Sequence, residues 1–449
     1  MRTRWLLCCA LAVSLTAAAC TGESADTTTA APTTTSTTTT TIGVEIRTRV
    51  EPTFTVGQGV DDGVAGELQG LIDELRLDVE GLRGLVFLDP PQISFVSDDG
   101  FAARHGAWVE ARLDPDTLGT ETRLMRVLAL IDPADDVRAT LVDLYDDPVR
   151  AFYDSDTGEV VVAAGNGDLS PKDRTDVVRS LVAALTDQYH RHTERSRDLA
   201  AEGRTDEATA LEALAVADAN YFQLLYAQGL PEADQVAIAA ASPEAPSLPG
   251  YLREQLRISG EFGFELVTAL LDDGGVGGLD AAYSAPLLTT EHILFPARFA
   301  AGERLMDIDH YLPEAAGYDV ATAGTWGAGT LRGLLAASLS PGMLTQTADG
   351  WGGDWSVILE EGDDLAWVYT FRGDSIDDAL EVTQGFIAHI ETVMGMGGGV
   401  ASGGGVEYVG SARSGEDFAY IDREGDGLVV VVATDPDVGR ALSRAVPVP

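Results

Sequence analysis

Apolar residues recur every three or four positions along much of the chain after residue 44, and this spacing is typical of amphipathic helices. It predicts helices over residues 67–82, 102–113, 121–132, 170–197, 205–228, 251–271, 325–339 and 376–392, and a final helix from Pro436. Alternating or β-branched runs predict strands over 92–96, 355–360, 365–372, 418–422 and 428–434, and a hairpin over 151–162. The chain is therefore predicted to be α+β.

The order of these elements indicates a long helical part followed by a smaller layered part. The helix from Ser170 has a strong start signal, because Ser170 can cap it and Pro171 suits its first turn. Near the end, two strand–strand–helix units flank a glycine-rich segment at 395–405, which we interpret as a flexible loop. We expect an antiparallel ββαββα layer over 346–449, packed on a body that spans 45–345.

Composition excludes several classes of protein. The chain carries 29 Lys and Arg against 72 Asp and Glu, a formal net charge of −43. Such a surface repels phosphate backbones, so no nucleic-acid partner is expected. The three cysteines are Cys8, Cys9 and Cys20, which leaves the body without a thiol, a disulfide or a cysteine-ligated metal.

Residues 1–19 have the pattern of an export signal. Arg2 and Arg4 precede a short apolar stretch and three alanines, and Cys20 follows them directly. This arrangement resembles the lipobox of bacterial lipoproteins, in which Cys20 would be lipidated and anchor the chain to the outer side of the cell membrane. The alternative is a plain signal peptide and a secreted protein. A Thr-rich tether over 20–44 would hold the body away from the membrane.

A further resemblance rests on five segments that follow one another along the body. They are Ala151-Phe152-Tyr153-Asp154 with Thr157-Gly158; Leu181 with Ala184-Leu185-Thr186-Asp187-Gln188; Leu279-Asp280-Ala281-Ala282-Tyr283; Thr289-Thr290-Glu291-His292-Ile293-Leu294-Phe295-Pro296; and Gly350-Trp351-Gly352-Gly353-Asp354. In this order the chain resembles a family of exported bacterial zinc metallopeptidases with an HExxH helix, from about Val50 to the C-terminus. The resemblance implies a mainly helical, zincin-like core over 45–345.

The residues that would bind zinc in that family are missing. In an HExxH helix two His ligate the metal and Glu acts as general base. The alignment places Arg179, Ser180 and Ala183 at these three positions, within Arg179-Ser180-Leu181-Val182-Ala183, and places Val216 at the third ligand. These side chains cannot ligate zinc, and Ser180 is a far poorer base than Glu. The resemblance therefore implies a degenerate member without a catalytic residue, a metal site or a cofactor.

A zinc ion would have linked the two central helices, predicted over 170–197 and 205–228. Without it, we expect another interaction to link them. We expect Arg179 to pair with Asp218 or Glu212 across the gap, with Ala183 and Val216 filling the rest. Asp187, His190 and Glu194 also share a helix face and offer a relocated metal site. The interpretation we favour for these three is a solvated, salt-bridged surface.

The sequence therefore predicts a non-catalytic, lipid-anchored envelope protein that binds a protein or peptide partner. The alternative is an active hydrolase with a relocated metal site or with catalytic residues that its motifs do not reveal.

Overall fold

The computed structural model describes residues 49–145, 149–165, 167–241, 247–411 and 415–449. Residues 1–48, which include the predicted signal, Cys20 and the Thr-rich tether, lie outside these ranges. Among the described residues, no helix is both long enough and apolar enough to cross a bilayer.

Helices make up most of the chain before the C-terminal sheet. The α-helices are α1 (Asp62–Arg83), α2 (Asp98–Arg112), α3 (Pro115–Val127), α4 (Val137–Tyr145), α5 (Pro171–His190), α6 (His192–Ala201), α7 (Thr205–Gly229), α8 (Glu232–Ala241), α9 (Gly250–Arg257), α10 (Gly263–Tyr283), α11 (Thr290–Leu294), α12 (Pro296–Ala301), α13 (Gly327–Leu335), α14 (Pro341–Asp349), α15 (Ile376–Ala388) and α16 (Pro436–Ala445). Two π-helical turns, Ile258–Phe262 and His389–Val393, continue α9 and α15.

The strands form two separate sheets. They are β1 (Thr53–Val56), β2 (Gln92–Val96), β3 (Ala151–Asp154), β4 (Glu159–Ala163), β5 (Asp319–Gly324), β6 (Trp351–Glu361), β7 (Asp364–Gly373), β8 (Val400–Ser402), β9 (Gly405–Ser411), β10 (Gly415–Glu424) and β11 (Gly427–Ala433). The first sheet has the order β1-β2-β4-β3, in which only the β3–β4 pair is antiparallel. The second is antiparallel throughout, with the order β5-β6-β7-β11-β10-β9-β8.

The second sheet is covered on both faces, which explains the unbroken apolar run in β11. Alternate residues of β7 and β11 contribute to two different apolar clusters. One face packs against α13 and α15, and the other packs against α16 through Leu442. A strand that is buried on both faces needs apolar residues at every position rather than at alternate ones.

One apolar cluster is shared by the two parts of the chain, whereas α1, α5, α7 and α10 belong to a separate cluster. The cluster on the α15 face of the sheet also includes buried residues of α2, α3 and α4, such as Leu118 and Leu124. The prediction of an α+β chain with a C-terminal antiparallel sheet is thus confirmed. Strand β5 precedes the predicted boundary at residue 346 and nevertheless pairs with β6, so the sheet begins earlier than the ββαββα pattern indicates.

Two local predictions were wrong. The helix predicted over 170–197 breaks at Arg191, whose φ of 48° lies in the left-handed region, and α6 starts a new axis after it. The segment predicted as a glycine-rich loop contains β8, which pairs with β9 at the edge of the sheet. Strand β8 was missed because it has only three residues, too few to show the apolar alternation from which strands are predicted.

Two buried carboxylates lie near the start of α13, and one of them, Asp354, ties it to the second sheet. Asp354 of β6 accepts hydrogen bonds from the main-chain N–H groups of Trp326 and Gly327 at 2.7 and 2.9 Å, and from the Trp351 and Tyr369 side chains. Asp206 of α7 accepts from the Thr290 main chain and hydroxyl. Burial raises the pKa of Asp354 to about 6 and that of Asp206 to about 8.

The start of α13 fits against Asp206 only because residue 327 is glycine. Gly327 has a φ of 79°, and a Cβ atom there would lie 1.7 Å from Asp206 Oδ1. We expect Gly327→Ala to prevent folding or to lower the free energy of unfolding severely. Gly362 serves as the control, because its φ of 60° is also positive but no atom lies within 4 Å of a Cβ there.

Gly362→Ala should cost only the left-handed strain of about 1–2 kcal/mol. Urea unfolding of both variants, followed by circular dichroism, measures the difference. Equal losses in the two variants would mean that the close approach to Asp206 does not constrain the fold.

Candidate functional site

Helices α5 and α7 pack against each other and carry all four positions that the resemblance aligns with the zinc site. Ser170 caps α5 in a reciprocal capping box with Asp173, as the start signal predicts. The buried face of α5 presents Val178, Leu181 and Leu185 to the core, where they meet Leu211 and Leu214 of α7. This apolar contact holds the two helices side by side.

The aligned positions carry no metal-binding chemistry. Ser180 is buried, and its hydroxyl donates to the Asp176 carbonyl one turn earlier at 2.8 Å. Arg179 and Ala183 are half-buried on α5, and Val216 is half-buried on α7. Among the described residues, no group of three or more His, Cys, Asp or Glu is arranged to hold a metal ion.

The predicted ion pair of Arg179 is wrong. Asp218 pairs with Arg83 of α1, and Glu212 binds Ser196 of α6, while Arg179 forms no ion pair with a described residue. The reason is helical geometry. Asp218 follows Val216 by two residues, or about 200° around the helix axis, so it faces the opposite side of α7.

Asp218 belongs to a buried polar network between α1, α7 and α10. The Arg83 guanidinium donates to both Asp218 oxygens at 3.1–3.2 Å and to Asp280 at 2.6 Å. The Tyr283 hydroxyl donates to Asp218 at 2.9 Å. Burial and the neighbouring Asp218 raise the pKa of Tyr283 well above its usual value. Arg83 and Asp218 are fully enclosed, so each charge depends on the other.

The cluster of Asp187, His190 and Glu194 is not the solvated surface that we expected. The His190 ring stacks on Tyr283 at 4.1 Å, and its Nε2 lies 3.3 Å from Asp280. Asp187 accepts from the Tyr153 hydroxyl at 2.9 Å and from the Thr193 N–H. Glu194 lies beyond the break at Arg191 and is exposed. The three do not converge, because the helix ends between them.

His192, beside this cluster, is a residue that the sequence did not point to. Its Nδ1 lies 3.6 Å from Asp187, and burial lowers the pKa of its imidazole. Arg83 was missed as well, although position 83 continues the apolar stripe of α1 at Leu68, Ile72 and Val79. A charged residue on an apolar helix face is a signal for a buried ion pair, and it could have been found.

Glu212 and Val216 lie on one face of α7 together with Thr205 and Thr209, since these positions are three or four residues apart. Glu212 accepts from Ser196 Oγ at 2.7 Å. Burial raises the pKa of Glu212 to about 7, while the Ser196 hydrogen bond and the charges of Arg112 and Arg197 oppose the shift.

At the N-terminal end of the same α7 face there is a small pocket with a volume of about 40 Å³. Apolar residues at the end of α3 and just after it, together with Trp326 just before α13, form one wall of the pocket. Polar groups from α7, α9 and α13 complete the wall. The lining residues are Glu121, Leu124, Met125, Leu128, Leu130, Thr205, Thr209, Tyr251, Gln255, Thr325, Trp326 and Thr330. We call the α7 face from Thr205 to Val216, together with this pocket, the α7 groove.

Comparison with known proteins identifies only part of the chain. Residues 316–443 match the family model of a domain of unknown function, DUF8575. That match runs from just before β5 into α16 and so covers the second sheet. No curated protein and no solved structure matches the chain.

The raised pKa of Glu212 predicts a pH dependence of stability. Because the folded chain binds this proton more tightly than the unfolded chain, the contribution is complete below about pH 4.5 and is lost as the pH rises through about 7. Glu212→Gln should therefore reduce the loss of unfolding free energy between pH 5 and 8, by at most about 1.4 kcal/mol per pH unit.

Urea unfolding at each pH measures this slope. The control is Glu232→Gln, since Glu232 is exposed on α8 and its removal should leave the slope unchanged. A slope in Glu212→Gln that equals that of the parent chain would show that Glu212 does not hold its proton in the folded state.

Proposed function

We propose that this chain is a non-catalytic envelope protein, anchored through lipid on Cys20 outside the membrane, that binds a protein or peptide partner in the α7 groove. On this proposal, the body descends from a zincin-like metallopeptidase whose metal site has decayed. No cofactor takes part, and nucleic acid is excluded as a partner by the acidic surface.

One observation carries the proposal. The half-buried positions at which the resemblance places metal ligands are occupied by Arg179, Ala183 and Val216, and the two carboxylates expected to pair with Arg179 are bound by other residues. Asp218 is enclosed by Arg83 and Tyr283, and Glu212 is bound to Ser196. The pocket at the N-terminal end of the same α7 face has apolar and polar walls, and such a concave surface supports binding without chemistry.

A second candidate function rests on Glu212. A half-buried carboxyl group with a pKa of about 7 is suited to general acid–base catalysis, so an active hydrolase with a different mechanism has this observation in its favour. Ser196, the group it contacts, is fully buried and out of reach of a substrate. Glu212 would therefore have to activate water rather than this hydroxyl.

Rebuilding the metal site tests the descent of the scaffold. We expect the quadruple variant Arg179→His, Ser180→Glu, Ala183→His and Val216→Glu to bind one zinc ion per chain, because two His four residues apart on α5 would face a Glu on α7. The parent chain should bind none and should cleave no peptide, with or without chelator. Elemental analysis after gel filtration and a fluorogenic peptidase assay measure these outcomes.

The control carries a histidine pair on exposed positions of α8, Glu232→His and Val236→His, and shows how much zinc any such pair retains. A folded quadruple variant that binds no more zinc than this control would contradict the zincin-like geometry. One zinc in the parent chain with chelator-sensitive cleavage would instead overturn the non-catalytic proposal.

Partner binding is tested by blocking the groove. Val216→Trp places a large ring on the half-buried α7 face, and we expect it to abolish capture of a partner from solubilised envelope extracts by the immobilised full chain. Val236→Trp is the control, because Val236 is 62% exposed on α8. Captured proteins are compared by quantitative mass spectrometry. If the same proteins bind to all three chains, the α7 groove is not the binding surface.

A further inference from the structure

The pocket at the end of the α7 groove combines an apolar wall with an unsatisfied polar group. Leu124, Met125 and Leu128 are buried residues of its apolar side, and Trp326 closes it next to the second sheet. Gln255 of α9 also lines the pocket, and its Nε2 is buried without a hydrogen-bond partner among the described residues. The pocket therefore offers apolar contact and one donor.

The Gln255 side chain is held against α13. A Cβ atom at Gly333 would lie 2.9 Å from Gln255 Nε2, so the absence of a side chain at Gly333 makes room for the carboxamide. A buried donor without a partner lowers the stability of the fold, and a hydrogen-bond acceptor on a ligand would remove this penalty. The ligand is thus expected to present a carbonyl or another acceptor at this point.

The size of the pocket limits the group that enters it. Its volume of about 40 Å³ is well below the roughly 150 Å³ of a cavity that holds benzene. A side chain of one to three carbons fits, and an aromatic ring does not. Because so few atoms supply little binding free energy by themselves, this group must belong to a longer ligand that makes further contacts.

We expect the rest of the α7 groove to provide these further contacts, because Thr209, Glu212 and Val216 are only half-buried. Thr205 and Thr209 line the pocket, and Glu212 and Val216 continue the same face. From Thr205 to Val216 the helix rises about 16 Å, the length of about five residues of extended peptide. An extended peptide could therefore reach from the pocket to the positions aligned with the former metal site.

Charge selects among peptides. The residues that line the pocket include the carboxylate of Glu121 and no Lys or Arg, and the chain as a whole carries a net charge of −43. An acidic group that enters the pocket would be repelled by these charges, since Arg112 and Arg197, which lie near Glu212, do not line the pocket. A neutral or cationic ligand would not.

We propose that the α7 groove binds an extended, neutral or cationic peptide, which inserts one small aliphatic side chain into the pocket and places a main-chain carbonyl against Gln255 Nε2. This inference rests on the proposed function, since it specifies the ligand of the same groove. On this proposal, Gln255 and Thr209 determine which peptides the α7 groove binds.

Met125 provides a direct reporter of the pocket. The full chain, labelled with ¹³C at its methionine methyl groups, is titrated with the blocked peptide acetyl-Gly-Gly-Val-Gly-Gly-amide and with versions that carry Phe or Asp at the centre. We expect the Val peptide to shift the Met125 signal and to leave that of Met343, which is half exposed on α14, unchanged. The Phe and Asp peptides should bind at least tenfold more weakly.

Two substitutions test the assigned contacts. Gln255→Leu removes the donor and should weaken the Val peptide about tenfold. Thr209→Leu fills the pocket and should abolish the Met125 shift. The matched control is Thr268→Leu, since Thr268 is also half-buried and donates to a carbonyl one turn earlier, as Thr209 does, but lies on α10. A second control, Gln228→Leu, removes an exposed carboxamide at the far end of α7.

Isobutyramide, a small aliphatic amide, separates failure of the pocket from failure of the proposed function. If isobutyramide shifts Met125 and no peptide does, peptide binding is wrong and the proposed function fails with it. If peptides bind without shifting Met125, or bind equally to Gln255→Leu, the groove function stands and the pocket assignment is overturned. Equal or tighter binding of the Phe or Asp peptide overturns the assigned size or charge selection.

Discussion

The ion pair between Arg83 and Asp218 determines which side of α7 faces the core. Both side chains are fully buried, and two charges enclosed in this way are tolerated only when each meets the other with good geometry. Asp218 must therefore point toward α1, which turns Glu212 and Val216 toward the opposite side. The same rotation brings Thr205 and Thr209 to the pocket. The α7 groove is thus a consequence of a contact on the far face of the same helix.

Two further buried carboxylates perform a similar task near the start of α13. Asp354 accepts two main-chain N–H groups at the start of α13, and Asp206 accepts from Thr290 at the start of α11. Donors at helix starts need acceptors, and a carboxylate that supplies them also fixes the position of the helix. The acidic composition therefore has two parts: most Asp and Glu solvate the surface, and a few organise the interior.

Sequence patterns predicted the elements whose signal is local. Strand β2 was predicted with its observed bounds, and the hairpin of β3 and β4, the start of α5 and the two strand–strand–helix units of the second sheet were found where expected. The break at Arg191 was missed, because neither glycine nor proline marks it and its left-handed φ is imposed by the fold. Asp218 pairs with Arg83, which is 135 positions away in the chain. The periodicity of apolar residues does not predict contacts between such distant positions.

The same distinction applies to the candidate site. The sequence shows that positions 179, 180, 183 and 216 carry no metal ligand. It does not show which contacts hold α5 and α7 together instead. The expected ion pair of Arg179 assumed that the lost metal required a polar link between α5 and α7. Burial of a Leu side chain stabilises a fold by about 1.5–3 kcal/mol, and Leu181, Leu185 and Leu214 are all buried between these helices. The contact between α5 and α7 is therefore stable without a metal or a substitute for one.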